Sequence, residues 1–247
     1  MRLRRSERHE TSIGLPAVLS LLGLIGVGSL ALAPIGSLAP EGIDPDTFRW
    51  LALIQPAILT IGAALLGHAF ARRVGLDAPL LRAIMTGGPA GRVLLNQAGP
   101  ALIGGIMSGA VLLLYAATAR GALPPSFEVP AATRLLYGGV TEEIIARWGV
   151  MSFAAWLGWR LFGNRSAPTT AHLWFGNATA ALLFSLGHLP LLFALNGPAT
   201  PGWLIAAVVG GNMVPALIFG WLYARRGLEA AMIAHASAHV MALLFAA

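Results

Sequence analysis

Three charged residues, Glu142, Glu143 and Arg147, fall inside one long apolar stretch of the chain, and two further apolar stretches carry histidines: His188 in one, His235 and His239 in another. Glu143 and Arg147 stand four apart with the acid on the amino-terminal side, the order in which a helix pairs such charges favourably. On an α-helix Glu142 points about 100° away from Glu143 and has no partner at helical spacing. It must therefore meet a polar group on another helix or be protonated in place. His235 and His239, also four apart, share a helix face, an arrangement that can hold a metal ion or offer two hydrogen-bonding groups to one substrate atom. Three imidazoles and a free carboxylate from three helices can converge on one buried polar pocket suited to proton transfer.

The elements that must position these residues are membrane helices. Of the 247 residues 57% are hydrophobic and only 11% charged, against roughly 25% charged in ordinary globular chains, which excludes a water-soluble fold. Seven apolar stretches of about twenty residues recur, each long enough to cross about 30 Å of hydrocarbon as a helix. They lie near Ile13 to Ala33, Phe48 to Phe70, Pro100 to Thr118, Ala131 to Trp159, Ala171 to Leu195, Gly202 to Tyr223 and Leu228 to Ala247. The reading is an all-α, polytopic membrane helix bundle of about seven transmembrane helices. It is one domain overall: a basic tail (1–12), amino-terminal helices with an interfacial loop (13–130), and a bundle carrying the charged and histidine motifs (131–247). Leu30-Ala31-Leu32-Ala33 resembles a signal cleavage site, but the apolar run is long for a signal and six more spans follow, so it reads as an uncleaved anchor. No repeat of broken helices of the transporter kind stands out. Gly105 and Gly109 form a small-xxx-small packing pair, more suited to contacts within the bundle than to a dimer.

All sixteen basic residues are Arg, and with ten acids they give a formal charge of +6. The Arg residues fall in short clusters between spans, which orients a membrane protein and argues against nucleic-acid binding. Arg2, Arg4, Arg5 and Arg8, then Arg72, Arg73, Arg82 and Arg92, then Arg160 and Arg165, then Arg225 and Arg226 occupy alternate connections. Glu41, Asp44, Asp46 and Arg49 lie in the first opposite one, Arg120 and Glu128 in the next, with Arg134 just beyond. The amino terminus is expected in the cytoplasm and the carboxyl terminus outside. Gly75 to Gly99, broken at Gly87-Gly88-Pro89, is expected to hold an interfacial helix or re-entrant piece. The absence of Cys excludes disulfides, thiolate metal sites and cysteine nucleophiles.

A near-centre charge costs about 2.5–3.5 kcal/mol to insert, so residues 141–147 carry a gross cost of roughly 8–10 kcal/mol that something must offset. Glu142-Glu143-x-x-x-Arg147, Phe184-x-x-x-His188 and His235-x-x-x-His239, in that order on successive spans, resemble the CAAX-protease and bacteriocin-processing (ABI) family of intramembrane endopeptidases, which includes the type II prenyl proteases. The resemblance covers roughly Tyr137 to Val240. It implies that Glu142 activates the attacking water with help from His188, that Glu143 and Arg147 brace their helix, and that His235 stabilises the oxyanion. The family shares that last role with an Asn or Asp where this chain has His239, an imidazole that also donates but is bulkier and titrates near neutrality. Two mechanisms fit the sequence: a carboxylate-activated water, or a Zn2+ held by His188, His235, His239 and Glu142 with a position left for water. No His-Glu-x-x-His zinc-protease signature occurs.

The implied partners are a peptide or protein substrate at the membrane and the lipid bilayer, with no nucleic acid and no organic cofactor; the sequence carries no signal for oligomeric state. Two other classes use the same residue types, a transporter relaying protons or a coupling cation and an inactive relative acting as a binding or immunity factor. Blander roles also exist. Glu143 and Arg147 can form a structural ion network, and His188 can satisfy a carbonyl freed near Pro190. His239 can be a packing residue, and Asn212 can bond backbone near Pro215. His68 and His172 read as span-end residues, and Trp148, Trp156, Trp159, Trp203 and Trp221 as belt or packing residues.

Overall fold

A computed structural model describes residues 7–119, 121, 127–163 and 167–245 of the chain. Arg2, Arg4, Arg5, Arg120, Arg165, Ala246 and Ala247 lie outside the described residues. In chain order the helices are α1 (Glu7–Ser29), α2 (Pro45–Leu51), α3 (Ile54–Phe70), α4 (Pro79–Thr86), α5 (Ala90–Thr118) and α6 (Ala131–Thr133). Two π-helical segments follow, π1 (Arg134–Glu142) and π2 (Ile144–Met151), then α7 (Ser152–Phe162), α8 (Thr170–Leu186), α9 (Leu189–Asn196), α10 (Gly202–Arg226) and α11 (Leu228–Phe245). Among the described residues the fold is an all-helical bundle. Six segments are long and apolar enough to cross a membrane: Gly14–Leu32, Pro45–Val74, Ala90–Thr118, Thr170–Asn196, Gly202–Arg226 and Leu228–Phe245. The protein is an integral, multi-pass membrane protein.

The remaining expected span, Ala131 to Trp159, is a continuous helical rod over 131–162 that runs through α6, π1, π2 and α7. Its charges keep it out of the apolar set, and burial among its neighbours offsets their insertion cost. It packs against α1, α3, α8, α10 and α11, and Glu143, Ile144, Ala146, Arg147 and Trp148 are all buried. These charges are therefore sheathed by protein. The π geometry, which bonds residue i to i+5 and is uncommon outside functional sites, shows in its side chains. Ser152 donates to the Arg147 carbonyl five residues back, and Thr141 reaches both the Leu136 carbonyl and, at 2.8 Å, the Gly23 carbonyl of α1.

The core lies where π2 meets α3, α10 and α11, with Leu15, Leu19, Ala64, Ile144, Trp148, Met151, Phe219 and Leu222 closing it. Trp148 is a packing residue of this core and not part of an interfacial belt: it is fully buried and donates from Nε1 to the Ala64 carbonyl at 3.1 Å. Gly67 gives the indole its room, since a Cβ there would overlap the ring.

Three boundaries differ from the sequence reading. The third span begins at Ala90, ten residues before Pro100, because Pro100 is accommodated inside α5. The fifth breaks into α8 and α9 at Gly187-His188, just before Pro190, which has no N–H to continue the ladder. The second begins as α2, capped by Asp44 accepting from the Thr47 N–H at 2.8 Å. Between the second and third spans, where an interfacial helix or re-entrant piece is expected, the chain forms the short helix α4, ended by Gly87 at φ 69°. Its amino-terminal end is anchored by Glu229, buried at the start of α11, which accepts from the Leu81 N–H at 2.8 Å and from Gln97 at 3.1 Å. Gly105 and Gly109 face Ser237 and Met241 of α11, so the small-residue pair packs within the chain.

Candidate active site

The rod presents Glu143 and Arg147 to the inside of the bundle, and the expected ion pair forms: Arg147 Nε lies 3.2 Å from Glu143 Oε2, with both side chains sealed from solvent. The guanidinium also donates from a terminal nitrogen to the Ala216 carbonyl of α10 at 2.9 Å. It sits over the rings of Phe184 (5.1 Å) and Phe219 (5.5 Å), which bind α8 and α10 to the rod by cation–π contact. Removing a charge from water so completely is tolerated only with this set of partners.

From α11, His235 enters the same cluster. Its Nδ1 donates to Glu143 Oε1 at 2.8 Å, and its ring stacks on Phe219 at 4.6 Å between centroids. With Nδ1 committed, Nε2 faces Glu142, whose Oε2 is 3.9 Å away. That gap is too long for a hydrogen bond yet short enough for one water to touch both atoms. Glu142 thus does meet a polar group on another helix. It is also the accessible member of the cluster, its side chain 19% exposed where those of Glu143 and Arg147 are at most 1%.

His239 lies one turn beyond His235 with the rings stacked at 4.8 Å. Gly138 of π1 makes room for it, because a Cβ at Gly138 would stand 2.6 Å from His239 Nε2. His188 sits at the α8–α9 break, and its Nδ1 donates to the Phe184 carbonyl at 2.9 Å, leaving Nε2 as the free nitrogen. The Phe184 ring meets His188 edge-on at 4.8 Å and His235 at 6.3 Å, so one aromatic side chain ties both imidazoles to the cluster. His188 thus satisfies a carbonyl at a helix break, and Phe184 links it to the cluster.

Among the described residues no three His, Asp or Glu side chains are gathered as ligands for one metal ion. His235 and His188 use Nδ1 on Glu143 and on a carbonyl, which leaves each Nε2, and His239 lies flat against His235. In this arrangement Glu142, His188, His235 and His239 are not gathered as one ligand set.

Sequence reasoning missed Tyr137 and Phe219. Tyr137 precedes Glu142 by five residues, which on π1 places the two on one face and within electrostatic reach of each other; on an α-helix they would diverge. Phe219 has no motif to mark it, and only tertiary packing sets it between Arg147 and His235. His172 and Asn212 serve local structure. His172 accepts from the Thr169 N–H at 3.0 Å in a capping box, and Asn212 donates to the Val208 carbonyl at 2.8 Å.

A polytopic helical membrane protein whose buried Glu–Arg–His cluster leaves one carboxylate accessible is the class that fold and site define together. Residues 124–241, just under half the chain, match the family model for type II CAAX prenyl endopeptidase Rce1-like proteins. The matched segment spans all three motifs, so the resemblance they carry is to this family of intramembrane proteases. No curated protein and no solved structure gives a significant match.

Proposed function

We propose that this protein is an intramembrane endopeptidase that cleaves a peptide bond of a membrane-associated substrate with a water activated by Glu142. The observation that carries the reading is the single imidazole of His235 spanning two carboxylates, one locked and one free. Glu143, held by Arg147, fixes the orientation of His235. Glu142 is left to handle protons where water can arrive.

A water between Glu142 and the His235–His188 side of the site gives its proton to the Glu142 carboxylate as its oxygen attacks the substrate carbonyl carbon. The C–O bond forms, the carbonyl π electrons move to oxygen, and the resulting oxyanion is stabilised by an N–H donor from His239, which stacks on the His235 ring. When the C–N bond breaks, Glu142 returns the proton to the departing amine and the carboxylate is regenerated. The low dielectric of the bundle strengthens each of these interactions. Arg clustering supports placing the amino-terminal end of the bundle in the cytoplasm.

The experiment is cleavage of a membrane-anchored peptide by the purified protein in proteoliposomes, wild type against Glu142→Gln, with ion flux measured in parallel. The proposal expects lost cleavage with the fold retained and no dependence on an ion gradient. Flux that disappears with Glu142 would assign the cluster to a carrier instead.

A further inference from the structure

Away from the Glu–His cluster, the 3-10 turn Ala71–Val74 at the end of α3 and the last turns of α7 form a cleft of about 540 Å³ lined by Arg73, Trp156, Trp159 and Arg160. Trp156 of this lining belongs to an aromatic cluster with Phe70 and Phe153, with ring centroids 4.4 Å apart for Phe70–Trp156 and 5.2 Å for Phe70–Phe153. Arg73 extends over Phe70 at 5.5 Å, so its stem and guanidinium lie along this cluster. Both Arg73 and Arg160 are exposed, and among the described residues the ion pairs are Arg49–Asp46, Arg82–Asp77 and those of the Glu–His cluster, which leaves neither paired with a carboxylate.

The location decides the ligand. This end of the bundle also carries Arg72, Arg82, Arg92, Arg225 and Arg226, so it faces the leaflet that attracts cationic segments, and that leaflet is rich in anionic lipid. Two unpaired guanidinium groups beside tryptophans, at the depth where a bilayer turns from acyl chain to headgroup, are complementary to a phosphodiester with its chains running along the aromatic cluster. We propose that the Arg73–Trp156–Trp159–Arg160 cleft binds the phosphate of an anionic phospholipid. The site is independent of the peptidase reading and rests on membrane embedding and on the orientation that the Arg clusters favour.

The test is native mass spectrometry of the full chain in detergent with equimolar phosphatidylglycerol and phosphatidylcholine. Wild type is expected to retain phosphatidylglycerol several-fold over phosphatidylcholine. Arg73→Gln/Arg160→Gln is expected to lose that preference, whereas Arg92→Gln/Arg226→Gln, altered at the same end but outside the cleft, keeps it. Should the Gln pair fail to fold by thermal melting, Arg73→Lys/Arg160→Lys retains charge without the bidentate fork and is expected to weaken the preference. An unchanged preference in either cleft variant, or equal loss in the control pair, overturns the site. Displacement of the lipid by excess inorganic phosphate would assign the cleft to a soluble anion and overturn the lipid as its occupant.

Discussion

His235 donates through Nδ1 to Glu143 at 2.8 Å, and this one bond decides that its other nitrogen faces Glu142. A carboxylate that never meets substrate therefore sets the direction of one that can. Arg147 completes the relationship from the far side of Glu143.

The first prediction concerns that locked pair. Glu143→Gln leaves Arg147 buried without its counter-charge, and loss of one partner of a buried pair costs about 3–5 kcal/mol. Chemical denaturation in detergent should show this loss, and Arg147→Met should show a similar one. The Glu143→Gln/Arg147→Met double variant should lose less than the two single losses added together, because the orphaned charge is gone.

A second prediction follows from the contact between π1 and α11. Gly138→Ala drives a methyl group into His239, and misplacement by about 1 Å near a reacting centre can cost about 10²-fold in rate. Cleavage by Gly138→Ala should fall by that order. Gly210→Ala, at a helical glycine with open space beside it, should leave cleavage unchanged.

The donor role of His239 separates two replacements. His239→Asn keeps an N–H donor and should retain cleavage within about tenfold, while His239→Ala removes it and should lose about 10²–10³-fold, the usual effect of deleting an oxyanion donor. Equal rates for the two variants would make His239 a packing residue.

Chelation provides a fourth. With no three His, Asp or Glu side chains gathered as ligands among the described residues, cleavage should be unaffected by prolonged treatment with 1,10-phenanthroline. Loss of activity that returns on adding Zn2+ would show that the imidazoles reorient around a metal.

Much of this arrangement was legible because membrane insertion penalises isolated charge. Glu143 and Arg147 are expected to pair at four-residue spacing and do; Glu142 is expected to meet a polar group on another helix or be protonated, and His235 Nε2 stands 3.9 Å from it. The angular argument for Glu142, however, assumed an α-helix, and the rod is π-helical over that stretch. Within that stretch Gly138 and Gly139 lie close against His239 and Ala236 of α11, a contact that no single segment encodes. Glu229 carries no motif in the sequence, yet it holds α4 from across the bundle because Leu81 and Gln97 converge on it. Pro100 misled for the opposite reason, since a long helix with packed neighbours absorbs one missing N–H.

The central claim is that Glu142 moves the proton of the attacking water. Glu142→Gln preserves shape and hydrogen-bonding reach while removing basicity, so single-turnover cleavage of a membrane-anchored peptide in proteoliposomes tests it most directly. The account predicts a rate at least about 10²–10⁴-fold below wild type, the usual worth of a general base, at an unchanged melting temperature. Cleavage by Glu142→Gln at the wild-type rate would contradict it.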